Sequence, residues 1–354
     1  MSYQDGWAAL NLEMPDRVPR TEYSVDGYHF ALMRRVTGIP VTAESPAQER
    51  LRAAQAFRKA WTFDFAWSTL IANQIYKGFC TNMGHASYAA AGSDYDNALY
   101  CPFEDPEDVL AFDPWEAYGP IDLADMTRQF EEHYRANAAA YPNEVNMTGI
   151  YTTLMSGLIA VFGWDMLLMA CGMDGQAFGE MANRYASWMQ QFMQALAEAD
   201  VPCVMIHDDI VWTSGPFIHP DWYRKYLFPN YKKYFAPILE SGKKLIYTSD
   251  GNYTQFIDNI AATGVNGFVL EPCTDMRYIA EKYGKTHAFI GNADTRILLS
   301  GTPEEIRAEV KRCMDIGKSC PGFFLAVGNH IPANTPVENC LIYEEAYREM
   351  CRRR

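Results

Sequence analysis

From about residue 145 onward, short apolar runs alternate with longer amphipathic stretches, and this alternation limits the chain to very few folds. The runs at 145–150, 202–207, 244–249, 267–271, 287–291 and 323–327 are apolar along nearly their whole length. A strand that is apolar on both faces is buried on both faces, as in a parallel sheet covered by helices. The stretches between them fit helices at 176–199, 221–241, 253–263, 275–283, 303–317 and 336–351. In 176–199 the residues Phe178, Met181, Tyr185, Trp188, Phe192 and Leu196 form one stripe. Pro229 is expected to break 221–241, and Thr302-Pro303-Glu304-Glu305 reads as a helix start.

Six such units, plus one or two strands from the earlier part, predict a (β/α)8 TIM barrel. The competing open doubly wound sheet is disfavoured, because no G-x-G-x-x-G follows the first strand. Residues 1–140 read as mostly helical, with helices expected at 46–61, from Pro106 and at 120–137. The expectation is a single domain over 1–354, with additional N-terminal helices before barrel units at 141–354.

Composition narrows function. The 354 residues carry 30 Lys+Arg against 44 Asp+Glu, a net charge of −14, which argues against a nucleic-acid partner. Nine cysteines, an odd number with no C-x-x-C, point to reduced thiols and a cytoplasmic location. No signal peptide is seen at the start. The longest uncharged run, 145–164, contains polar and glycine residues and reads as buried strand, turn and helix rather than as a membrane span. Homo-oligomerisation is left open.

In a barrel, reactive side chains sit just past the C-terminal strand ends. That rule selects His207, Asp208 and Asp209; Asp250, Gly251 and Asn252; Glu271 and Cys273; Asn292 and Asp294; Asn329 and His330. Asp208 and Asp209 could equally cap a turn, and Asp250-Gly251-Asn252 is a good tight-turn sequence. Without closely spaced His and Cys, the metal signal is weak.

These stretches resemble the uroporphyrinogen decarboxylase superfamily: DRVPRTE at 16–22, YTSDGN at 247–252, FIGNAD at 289–294, SGTPEE at 300–305 and GNHIPANTPVEN at 328–339. Within it, IHDDIVWTSGPF at 206–217 looks like the corrinoid-dependent O-demethylase methyltransferases. The decarboxylases grip their substrate's carboxylates with an Arg-rich N-terminal segment, whereas this chain places Glu22 there. The resemblance therefore implies transfer of a methyl group from an aryl methyl ether, a small aromatic substrate, to the Co(I) corrinoid of a separate carrier protein. A decarboxylase-like lyase, or a methylamine or quaternary ammonium donor, are the alternatives. The better-known methyltransferases of the superfamily hold Zn2+ with thiolates and His; this chain has Thr248, Asp250 and Asn329 at those positions. Asp250, Glu271 and His330 are the metal ligands expected if Zn2+ binds at all. As catalytic groups, Asp250 and Glu271 form the expected activating centre, with His207 and His330 as further acids or ligands and Asp209 and Asn252 orienting them. Glu22, Trp67, Trp212, Tyr247, Asn252, Asn292 and Asn329 are the expected substrate-binding residues.

Overall fold

A computed structural model describes residues 2–82, 88–89, 92–93 and 100–353. Its centre is a closed ring of eight parallel strands. They are β1 (19–21), β2 (Phe65–Ala66), β3 (145–150, from Val145–Asn146 and Thr148–Ile150), β4 (Cys203–His207), β5 (Lys244–Thr248), β6 (Gly267–Val269), β7 (Ala288–Ile290) and β8 (Phe323–Phe324). Six of them, β3 through β8, pair in sequence order within one sheet. β2 joins the other edge of β3 through Phe65 opposite Val145 and Ala66 opposite Asn146. The ring closes through β1: Arg20 bridges in parallel to Leu325, while Asp64 N–H donates to the Arg20 carbonyl at 2.9 Å. Both early strands needed for a barrel are therefore present, and the fold is the expected one.

Side-chain alternation sorts the strands into two cores. Phe65, Val145, Met147, Cys203, Met205, Ile246, Val269, Ala288, Ile290 and Phe324 point inward and pack on one another. Ala9 and Leu10, from helix Ser2–Leu10, join this inner cluster. Val204, Ile206, Leu245, Tyr247, Phe268 and Phe289 point outward against the helices. The mouth end of the interior is where Tyr23, Trp67 and Tyr151 pack against the inner cluster.

The helices follow the expected order, with Gly175–Glu198, Met276–Tyr283, Pro303–Gly317 and Val337–Met350 close to their predicted bounds. Thr302 and Glu305 form a reciprocal capping box. Pro229 does not break its helix. It lies in the first turn of Phe228–Glu240, just after a wide turn at Tyr223–Leu227, where no intrahelical partner for its missing N–H is required. Met155–Met173 is long and apolar enough to cross a membrane, yet 56% of its most apolar window is buried within the fold, and its helical geometry is interrupted at Gly163. All nine cysteines are free thiols.

Candidate active site

The strand-end residues converge. β4 is inward at Cys203, Met205 and His207, so the His207 ring emerges on the interior at the mouth. Its Nδ1 bonds the Tyr151 carbonyl at 2.7 Å, and its ring stacks on the Tyr151 ring at 4.0 Å, nearly parallel. That fixes Nε2 toward Asp209 Oδ1, 3.2 Å away. The same Asp209 oxygen accepts from the Asp250 N–H at 2.8 Å, and the Asp209 N–H is held by Ser156 Oγ.

Asp250 is positioned by a tight turn. Gly251 has φ +79°, and a Cβ there would lie 2.7 Å from the Val211 carbonyl, so only glycine lets this loop sit against the 211–216 hairpin. The Gly251 N–H donates to Glu271 Oε2 at 2.8 Å. Asn329 Nδ2 joins the two acids, donating to Glu271 Oε1 at 2.8 Å and lying 3.3 Å from Asp250 Oδ2. Asn329 Oδ1 in turn accepts from the His330 N–H.

Burial pushes the Asp250 carboxyl up to about 8, helped by the nearby Asp209 and Glu271 carboxylates and opposed by His207 and Asn329. Burial alone would lower the His207 imidazole, but the contact with Asp209 outweighs it and raises the ring to about 9. The site thus favours the protonated form of Asp250 and the charged form of the His207 ring.

A cavity of about 170 Å³ opens onto this cluster. Tyr23, Trp67 and Tyr151 supply aromatic walls; Met147, Met205 and Val269 come from the inner core; His207, Thr248, Asp250, Asn329 and His330 supply polar groups. Among the described residues, no Lys or Arg lines it.

Of the residues expected from sequence, His207, Asp209, Asp250, Glu271 and Asn329 are thus linked in one network, and Trp67 and His330 line the cavity. The remaining five lie elsewhere. Glu22 is buried behind the barrel wall, accepting from the Val327 N–H, Arg20 and Tyr343, so its charge serves the fold. Tyr247 falls on the outward face of β5, and its hydroxyl donates to the Asp208 carbonyl. Trp212 is 46% exposed on the hairpin and packs on Trp164 and Phe217. Asn292 is saturated by the Glu271 carbonyl and Arg312. Asn252 accepts from the Thr254 N–H, a turn role. Asp208 takes the capping alternative: its buried carboxylate receives the N–H groups of Leu154, Met155 and Ser156. Tyr151 is a site residue that the sequence reading missed, although it directly follows β3 and the strand-end rule applied there would have named it.

For a metal, the group among the described residues is His207, Asp209 and Asp250, whose donor atoms all lie within 4.8 Å of one another. Glu271 and His330, expected as ligands, lie outside that group. The 3.2 Å His207–Asp209 separation matches the edge of a tetrahedron with bonds of about 2.0–2.2 Å. A ring whose other nitrogen is anchored on a carbonyl is the usual arrangement for a ligating His. The three residues form a candidate metal site.

Known proteins agree with this architecture. Residues 116–350 match the family model described as Uroporphyrinogen decarboxylase (URO-D). Uroporphyrinogen decarboxylase from Carboxydothermus hydrogenoformans is 26% identical over 175 residues, 49% of this chain and 48% of that protein. Methylcobamide:CoM methyltransferase MtbA from Methanosarcina acetivorans is 28% identical over 149 residues, 42% of each chain. The chain thus spans about half the length of the curated relatives it matches. Among solved structures, a methyltransferase from Methanosarcina mazei aligns over 98% of both chains with a TM-score of 0.66 at 17% identity, a likeness of fold. With its family model covering more than half of its length, the chain belongs to the uroporphyrinogen decarboxylase family.

Proposed function

We propose that this chain is a methyltransferase that removes the methyl group from a methoxylated aromatic and passes it to the Co(I) corrinoid of a separate carrier protein. The observation that carries this reading is the cavity. At about 170 Å³ it has room for one substituted ring, since a cavity of roughly 150 Å³ accommodates benzene. A tetrapyrrole with its acid side chains is far larger and calls for cations, which the described lining lacks. The nearby N-terminal arginines are already committed: Arg20 pairs with Glu22 and Glu344, and Arg17 with Asp64 and Asp5. The methyltransferase names among the relatives point the same way.

Co(I) is a strong nucleophile, so the barrier lies in the leaving oxygen. The cobalt electron pair forms the new bond to carbon, and the carbon–oxygen pair stays on oxygen. Asp250, protonated at neutral pH, delivers its proton to that oxygen, so the ring leaves as a phenol rather than a phenolate. Asp209 holds the Asp250 backbone and the His207 ring in place, and the aromatic walls keep water from the transfer. A Zn2+ held by His207, Asp209 and Asp250 would supply the same activation as a Lewis acid.

A quaternary ammonium donor is a second reading, favoured by the three aromatic walls. Its amine leaves neutral and requires no acid, so Asp250→Asn separates the two. The direct test mixes the protein with reduced corrinoid carrier and a panel of methoxylated aromatics. Conversion of Co(I) to methyl-Co(III) with stoichiometric phenol supports the reading. CO2 release from uroporphyrinogen without methyl transfer, or no transfer from any aryl ether, refutes it.

A further inference from the structure

Two hydroxyls on the cavity wall have no role in the chemistry above. Thr248 is at the inward, C-terminal end of β5, 8% exposed, and its Oγ1 has no hydrogen-bond partner among the described residues. Its cavity neighbours Met147, Met205 and Val269 offer no side-chain acceptor or donor beyond a thioether. Tyr23 also lines the cavity, with its ring 4.6 Å from that of Trp67; its buried hydroxyl has no partner among the described residues either. Burial and the neighbouring acids hold the Tyr23 phenol well above its ordinary range, so it stays protonated and able to donate.

A valine in place of Thr248, or a phenylalanine in place of Tyr23, would fill the same space without stranding a polar atom. Buried polar groups in folded proteins nearly always have partners, and one left bare in a ligand cavity is matched by the ligand. Both hydroxyls share the small cavity with Asp250, which is already assigned to one substrate oxygen. A second oxygen on the same ring is needed to meet them.

We propose that Thr248 and Tyr23 are specificity-determining residues that bind a second oxygen on the ring beside the methoxyl group, so that the substrates are methoxyphenols rather than simple methoxybenzenes. The inference rests on the aryl-ether reading for which bond is cleaved, but recognition of the ring is measurable without catalysis. A site built to hydrogen-bond a substrate hydroxyl discriminates strongly against an analogue that lacks it, because its own groups are then left bare.

The test is calorimetric binding of 2-methoxyphenol and methoxybenzene to the full chain, without any carrier protein. The native protein should bind 2-methoxyphenol at least tenfold more tightly. Thr248→Val and Tyr23→Phe should each shrink that preference several-fold, while Thr248→Ser, which keeps the hydroxyl, should retain it. Circular dichroism confirms that each variant is folded, and the Ser variant carries the comparison if the Val variant is not. Equal affinity for the two probes, binding of neither, or a preference untouched by both hydroxyl deletions overturns the proposal. A preference that depends on the hydroxyls, in a protein that transfers no methyl group, upholds the proposal and counts against the aryl-ether reading alone.

Discussion

Asp208 ties the end of β4 to the start of helix Met155–Met173, and truncating it should be costly. Its Oδ1 accepts from the Ser156 N–H at 2.6 Å; its Oδ2 accepts from Met155 at 3.0 Å, Leu154 at 3.3 Å and the Tyr231 hydroxyl at 2.5 Å. No atom of this residue reaches solvent. Asp208→Ala strands three backbone donors at the first turn of the helix. Each buried unsatisfied group costs about 1–3 kcal/mol, and water entering the vacated space offsets part of that, so the net loss should be ~4 kcal/mol. Asp208→Asn keeps one oxygen but points an amide at a remaining N–H, leaving at least one donor bare for ~2 kcal/mol. At this chain length the unfolding entropy is about 0.7 kcal/mol/K, so Tm should fall by roughly 5 °C for the Ala variant and about 3 °C for the Asn variant. Differential scanning fluorimetry at pH 7 reads both. A Tm for Asp208→Ala within 1 °C of the parent would mean that the three N–H groups find other acceptors, and the reasoning would fail.

Asp250→Asn should lower methyl transfer from an aryl ether by about 10²–10⁴-fold without lowering Tm, as measured by carrier methylation. Because the proposed mechanism uses the acid form of Asp250, whose carboxyl is raised to about 8, the rate should hold at neutral pH and fall as pH rises through about 8; a rate that climbs across that range excludes Asp250 as the donor. Glu271→Gln should depress transfer strongly while the fold stays intact by circular dichroism, since it disturbs the acceptors that hold Asn329 and Gly251; a fully active variant removes Glu271 from the site. Arg20→Met should destabilise by about 3–5 kcal/mol in chemical denaturation, because it leaves Glu22 buried without its cation, while Glu344 keeps only Arg348.

How much of this was readable depends on segment length and register. The runs at 203–207 and 244–248 are long enough to show as buried strands, and their ends named His207, Asp209 and Asp250 directly. β1 and β2 span two or three residues each, too short for any period to register, so only their number was expected. An apolar strand hides which of its faces is inward, and that is why Tyr247, one residue out of phase with Thr248, was placed at the substrate. Glu22 was misplaced for a related reason: an acid beside a strand looks available until its partner Tyr343, 321 residues away, is known. The candidate metal trio shows the same gap, since His207 and Asp250 lie 43 positions apart in sequence and only the pairing of β4 with β5 brings them together.

The clasp between β8 and β1 also bears on how the molecule is made. Arg20 bridges to Leu325, the Val18 N–H donates to the Cys351 carbonyl, and Arg17 pairs with Arg352 in antiparallel fashion. A nascent chain emerging from the ribosome can assemble staves in order, but the first stave has an open edge until the last has been translated. Until then the residues that flank Tyr23 have no neighbour on that side. The cavity at the barrel mouth is therefore among the last parts of the protein to come into existence, and a chain released early would present an unpaired strand edge in its place.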